Sequence, residues 1–190
     1  MKNLKTLISI LMLSTLLVFL NNCTGNKEEK AAATQDRSGN LSIGWAQTDI
    51  TPDEPVLLHG QFHARVSEGV IDPVTATVMA IESGQGGSSE KVLLISCDLV
   101  IISDATRNES EENLRDMVRN QITGKIPEIA PEQIIINATH THTAPYCGSA
   151  KSAKERYGVE LEAMSPYECM QFTAARIGEA AQEAWENRSP

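Results

Sequence analysis

The four histidines fall into two pairs, and neither pair lies in a segment with helical periodicity. His140 and His142 stand in Asn137-Ala138-Thr139-His140-Thr141-His142-Thr143-Ala144-Pro145, at the exit of the apolar run Gln133 to Ala138. In extended chain, residues i and i+2 point to the same side, so both imidazoles should face one cavity. The C-terminal end of a strand is where open α/β sheets bind their ligands. Neutral imidazole is the commonest metal ligand, and the flanking threonines can orient the rings by hydrogen bonding. His-x-His at a strand exit therefore points to a metal or substrate site. The second pair, His59 and His63, occupies the loop Leu57-Leu58-His59-Gly60-Gln61-Phe62-His63-Ala64-Arg65. There a solvated or backbone-bonded imidazole is the simpler reading.

The elements that must position these residues are legible in the apolar pattern. Leu41 to Ala46 reads as a first strand, closed by Asp49-Ile50-Thr51-Pro52, where proline forbids further pairing. Val74 to Ile81 is rich in β-branched residues and reads as a second strand, expected to pair with the first as a hairpin. Ser83 to Ser89 is a hairpin-like loop. Lys91 to Asp98 and Gln133 to Ala138 are nearly continuous apolar runs, the pattern of adjacent strands buried on both faces. Between them Glu111 to Gln121 predicts a helix, with Leu114, Met117, Val118 and Ile122 on one face and Ser110 as its cap. Ser165-Pro166-Tyr167-Glu168 is a capping box that should open a long helix to about Glu186, with Met170, Phe172, Ile177 and Ala181 inward. The expected fold is α/β, a mixed β-sheet flanked by helices, and an incomplete portion of a larger catalytic domain.

Residues 1–22 read as an address. Lys2 and Lys5 precede Leu7 to Leu20, an uncharged stretch shorter than the roughly 20 apolar residues of a spanning helix. Leu20-Asn21-Asn22-Cys23 places a cysteine where a bacterial lipoprotein is cleaved and lipidated, although Asn22 departs from the small residue usual before it. Residues 23–40 carry no large apolar side chain and form a flexible tether. The expectation is a lipoprotein of the bacterial cell envelope, held to the membrane through Cys23, with residues 41–190 as its domain. Cys97 reads as a small core residue, and a bridge between Cys147 and Cys169 is left open.

Composition sets the outer bounds. The 190 residues hold 16 Lys and Arg against 25 Asp and Glu, a net charge of -9, and such a balance excludes nucleic acid as a partner. Hydrophobic residues make up 41% of the chain, enough for a core of its own. Aromatics at 4% supply no stacking platform for bases or sugars.

Several His-x-His families do not match. A metallo-β-lactamase site wants Asp two residues after the second His, where this chain has Ala144. A cupin wants Glu about four residues on, where Tyr146 stands. An amidohydrolase barrel carries its pair on the first strand, and three strands precede this one. Gly44-Trp45-Ala46-Gln47-Thr48-Asp49-Ile50-Thr51-Pro52, however, resembles the G-x-A-x-x-D-I-T-P opening of the neutral/alkaline non-lysosomal ceramidase family. Gly60, Arg65 and Gly69-Val70-Ile71-Asp72-Pro73-Val74-Thr75-Ala76 resemble its glycine loop and following strand. Asn137 to Pro145 resembles its S-A-T-H-T-H-S-G-P motif. The three matches keep the family's order.

The resemblance implies a zinc-dependent amide hydrolase acting on ceramide or another N-acyl amide. It implies that His140 is a zinc ligand, that His142 contacts substrate near the metal, and that Gly60 belongs to the substrate loop. The family's other ligands and its serine nucleophile fall beyond the matched segments, so no catalytic residue is assigned in this chain and the zinc site is incomplete. Within the match, Thr143-Ala144 replaces Ser-Gly, Tyr146-Cys147 replaces a Gly pair, and His59-Gly60-Gln61-Phe62-His63 replaces an aromatic loop. The alternative is a non-catalytic surface lipoprotein that binds a lipid or glycan in the same groove.

Overall fold

The computed structural model describes residues 41–84, 89–104 and 112–190. The expectations for the leader, the tether, Cys23, Ser110 and Glu111 lie outside the described residues. Four strands form one mixed sheet in chain order: β1 (Leu41–Asp49), β2 (Thr75–Ser83), β3 (Glu90–Cys97) and β4 (Ile134–Ala138). β1, β2 and β3 run antiparallel, and β4 joins β3 in parallel. The fold is thus α/β with a mixed sheet and flanking helices, as the pattern predicts. β1 and β2 pair as expected, with residues 50–74 between them. β2 pairs in turn with β3 across the segment read as a hairpin-like loop, of which residues 85–88 lie outside the described residues. The parallel β3–β4 pair requires a crossover, supplied by α1 (Leu114–Lys125).

α1 begins later than Ser110 would place it. Asn113 is its cap, and its side chain accepts from the Asp116 amide at 3.0 Å. Leu114, Val118 and Ile122 are buried, and Met117 is half-buried. A short helix that apolar periodicity does not reveal, α2 (Ala153–Tyr157), follows β4. The long helix α3 (Pro166–Glu186) starts and stops where predicted, with the Ser165–Glu168 capping box closed. It packs on β1 and β2 and against α1. Ala174, Gly178, Ala181 and Ala184 keep its buried face small, so the helix sits close to the sheet: a Cβ on Gly44 would fall 1.8 Å from the Ala184 carbonyl oxygen. Phe172 is half-buried rather than part of the core. Among the described residues no helix is long and apolar enough to cross a membrane.

The expectation of strands buried on both faces is overturned. α1 and α3 cover one face, where Val78, Leu93, Ile95 and Ile134 have no exposure above 1%. On the other face Trp45, Met79, Leu94 and Ile135 stand opposite one another across all four strands. Trp45 is 59% exposed there and Ile135 54%. The next row on this face is polar, Gln47, Thr77, Ser96 and Asn137, and Gln47 Nε2 donates to Thr77 Oγ1 at 3.1 Å. Apolar residues on both sides of a strand predict two covering layers; the described residues supply one.

Candidate functional site

The site is built where β3 and β4 end together. Asp98 follows β3 and clamps its surroundings: Oδ2 accepts from the Thr75 amide at 3.0 Å and the Thr75 hydroxyl at 2.9 Å, while Oδ1 accepts from the Thr139 hydroxyl at 3.2 Å. The Thr139 amide donates to the Cys97 carbonyl and the His140 amide to the Leu99 carbonyl, both at 2.9 Å. These bonds hold the His motif onto the end of β3 after β4 itself has stopped.

At His140 the chain turns. Its φ of 68° is the left-handed region, the single such value on a non-glycine residue among the described residues. Backbone strain of that kind costs on the order of 1–3 kcal/mol and clusters at functional sites. The two imidazoles do converge, with His140 Nε2 and His142 Nε2 3.4 Å apart and the ring centroids 4.9 Å apart at 75°. The cause differs from the one expected, because the turn at His140 and not a two-residue strand repeat brings the rings together. Ring orientation also has another source than the threonines. His140 Nδ1 lies 2.7 Å from the Val100 carbonyl oxygen, whereas Thr141 and Thr143 bond each other at 3.0 Å. A carbonyl only accepts, so Nδ1 carries the proton and Nε2 presents its lone pair. That lone pair in turn makes His142 Nε2 the donor of the pair.

The loop after Pro55 folds as a small hairpin against the motif. Leu57 bridges Val66, and Leu58 bridges Pro145. The Leu58 amide donates to the Arg65 carbonyl at 2.8 Å, the His59 amide to the Ala144 carbonyl at 3.0 Å, and the Tyr146 amide to the Leu57 carbonyl at 2.8 Å. Thr51 secures the base of the loop, its hydroxyl accepting from the Val74 amide at 2.9 Å. The hairpin tip delivers Gly60 beneath His142. A Cβ there would lie 2.5 Å from His142 Cγ, and φ is +96°, so glycine is the residue this contact permits. Arg65 reaches back and donates from Nη2 to the His142 carbonyl at 2.7 Å.

His59 packs on Tyr146 with centroids 4.2 Å apart and the rings tilted by 46°, and the Arg156 guanidinium carbon lies 5.2 Å from the Tyr146 ring centroid. Burial lowers the His59 pKa to about 4, with the Arg156 charge and the His142 and His140 rings adding to the effect. The imidazole is therefore neutral at neutral pH. His63, by contrast, is exposed. Two of the segments that depart from the ceramidase pattern, at His59 and at Tyr146, thus touch each other. Arg65 and the Val100 carbonyl are contributors that the sequence reading assigned no role; a main-chain acceptor leaves no residue signature.

The arrangement fits part of a zinc site. With its Nδ1 held by the Val100 carbonyl, His140 could hold a metal through Nε2. A catalytic zinc takes three protein ligands, and among the described residues no group of three His, Cys, Asp or Glu side chains is placed to hold a metal. The cysteines do not fill the gap. Cys97, Cys147 and Cys169 are free thiols buried in the core. Burial pushes Cys97 up to about 12 and Cys147 up to about 11, and raises Cys169 beyond the ordinary thiol range. Such thiols are inert.

What these elements define is an α/β sheet whose strand-exit loops carry a convergent histidine pair. The chain is similar in fold to neutral ceramidase from Pseudomonas aeruginosa, with a TM-score of 0.58 and 19% identity over 79% of this chain. A second solved structure, described as ceramidase complexed with C2, matches with a TM-score of 0.58 and 18% identity. The chain spans about a fifth of each, 22% of their length. No protein-family model and no curated protein sequence matches it.

Proposed function

We propose that residues 41–190 are part of a zinc-dependent amide hydrolase of neutral ceramidase type, carried on a lipid anchor at Cys23 in the bacterial cell envelope. In this reading residues 1–22 are the lipoprotein signal and residues 23–40 the tether. The observation that carries the proposal is the histidine pair: Nε2 atoms 3.4 Å apart, at the end of β4, in a motif that resembles the family's and on a fold similar to its solved members. The open apolar sheet face supports the view that a longer product supplies further chain to the same domain, and with it the remaining zinc ligands.

His140 would hold the metal through Nε2, its ring fixed by the Val100 carbonyl. Zinc at that position supplies Lewis-acid polarisation of an amide carbonyl and a lowered pKa for the attacking oxygen. With the His140 lone pair taken up by the metal, His142 Nε2 would be released from its contact with His140 and would donate to a substrate oxygen beside it. Gly60 and Arg65 hold it there from below and behind. The substrate class is a ceramide-like N-acyl amide. The second reading, a lipoprotein that binds a lipid or glycan without turnover, draws on the count of two histidine donors where three ligands are needed.

The test is hydrolysis of a short-chain N-acyl sphingosine by the longest natural product. The wild type should turn over, and His142→Ala should lower kcat while zinc content stays whole. An inactive wild type that binds the same lipid stoichiometrically favours the second reading.

A further inference from the structure

We propose that Arg156 binds an oxyanion, in its simplest form a carboxylate, carried by the amide substrate beside the histidine pair. This deepens the hydrolase reading and rests on it for the amide. A plain N-acyl amide is neutral on both sides of its C–N bond and offers a guanidinium no partner. The substrate class therefore narrows to N-acyl amides that bear an anion, of which an N-acylated amino acid is the smallest example.

Residues 146–158 build the feature. The Tyr146 ring packs on His59 and folds over Gly148, where a Cβ would lie 3.2 Å from the Tyr146 ring and hydroxyl. α2 carries Arg156 and Tyr157 and is closed at both ends. The Ser152 hydroxyl accepts from the Glu155 amide at 3.1 Å, and Gly158, at φ 75°, caps the C-terminus. The Arg156 guanidinium carbon then lies 5.2 Å from the Tyr146 centroid and 5.1 Å from the Tyr157 centroid. A ring quadrupole attracts a guanidinium within about 6 Å, so two rings hold the group while the side chain stays exposed. The Arg156 charge acts on His59, as do the His142 and His140 rings, which makes Arg156 part of the same cluster. Tyr146 stands where the ceramidase pattern has glycine, and glycine offers no ring for a guanidinium to lie on.

Charge then selects the ligand. Lys91, Arg115, Lys151, Lys154, Arg176 and Arg188 each pair with a carboxylate, whereas Arg156 pairs with none among the described residues. With a net charge of -9 the chain has acids to spare, and the nearest in sequence are engaged elsewhere. Glu155 accepts from the Lys151 amide at 2.7 Å, and Glu160 pairs with Lys154 at 2.9 Å. Arg65, the other guanidinium at the site, also lacks an acid partner among the described residues and donates to the His142 carbonyl. A guanidinium keeps its charge at any working pH, and its planar fork of donors matches a carboxylate or phosphate two bonds at a time. Held by two rings beforehand, it loses less freedom when an anion arrives.

The test is calorimetric titration of the longest natural product with N-dodecanoylglycine and with N-dodecanoylglycinamide, both below micelle formation. The two differ only in a carboxylate against a carboxamide. N-dodecanoylglycine should bind about fivefold more tightly or better, and Arg156→Gln should bring the two within about twofold of each other. Lys154→Gln, which removes a nearby cation already paired with Glu160, should leave the preference intact. Dodecanoate, a carboxylate without an amide, separates an anion on the substrate from the acid left after hydrolysis. It should bind more weakly than N-dodecanoylglycine and lose about twofold at most in Arg156→Gln. Equal affinity for the two amides, no binding of either, or a preference unmoved by Arg156→Gln overturns the proposal. So does a preference lost equally in Lys154→Gln, or dodecanoate binding as tightly as N-dodecanoylglycine with the same dependence on Arg156. Binding needs no turnover, so a carboxylate preference in a chain that hydrolyses neither amide sinks only the hydrolase reading. Hydrolysis of both amides with equal kcat/KM and no binding preference sinks only this one.

Discussion

Replacing Gly60 with alanine should damage the site through two separable effects. The first is conformational: φ at this position is +96°, which L side chains rarely adopt, at a cost of about 1–3 kcal/mol. The second is steric. The new methyl would meet His142 Cγ at 2.5 Å, Nδ1 at 2.6 Å and Cβ at 2.9 Å. Since Cβ is among the atoms struck, ring rotation alone does not clear the clash, and His142 must leave its rotamer and shift its backbone. An off-rotamer side chain costs about 0.5–1.5 kcal/mol, so Gly60→Ala should lose roughly 2–4 kcal/mol in denaturant unfolding. Repeating the substitution in a His142→Ala background separates the effects. The ring clash vanishes, the backbone cost stays, and the penalty should drop by about 1 kcal/mol. In the single variant the His142 imidazole resonances should move while those of His63 do not. A penalty below about 0.5 kcal/mol, or one unchanged by removing the His142 ring, would refute the packing of Gly60 beneath His142.

Three further outcomes follow from other parts of the molecule. Gly44→Ala puts a methyl 1.8 Å from the Ala184 carbonyl oxygen, so α3 must lift off β1; the expected loss is about 3 kcal/mol in denaturant unfolding. His59 titrates at about 4 folded against 6.5 unfolded, so the unfolded chain binds more protons between those values and stability falls as pH drops from 6.5 toward 4. For a fully buried ring the difference is about 3 kcal/mol, and screening at this half-exposed ring reduces it to about 1.5 kcal/mol. His59→Phe, which keeps an aromatic face on Tyr146, should remove that part of the acid sensitivity in unfolding measured at pH 7 and pH 4.5. Cys23→Ser should release the protein from membranes and abolish acyl labelling, and unchanged partitioning would count against the anchor.

Much of this fold was legible because its elements carry local signals. Thr75, Thr77 and Val78 mark β2 by branching at Cβ, and Ser165 with Glu168 announces α3 by capping chemistry. Ser110 and Asn113 are equally good cap residues by type, so only the bond from Asn113 to the Asp116 amide shows where α1 begins. Trp45, Met79, Leu94 and Ile135 have the composition of a buried row, and composition does not say whether a second layer is present. At the site, His140 and His142 were identified from their spacing, yet the left-handed turn that brings them together is a backbone state with no residue signature outside glycine. The hairpin of residues 56–67 was missed as structure. Isolated bridges and main-chain bonds hold it, and neither imposes a hydropathy period.

Zinc stoichiometry of the longest natural product, measured for the wild type and for His140→Ala, tests the central claim most directly. With Nδ1 held by the Val100 carbonyl and Nε2 free to ligate, the wild type should carry one zinc per chain, and His140→Ala should lose both the metal and amide hydrolysis. A His140→Ala protein that keeps its full zinc and its activity, or a wild type that takes up no zinc, would contradict the account.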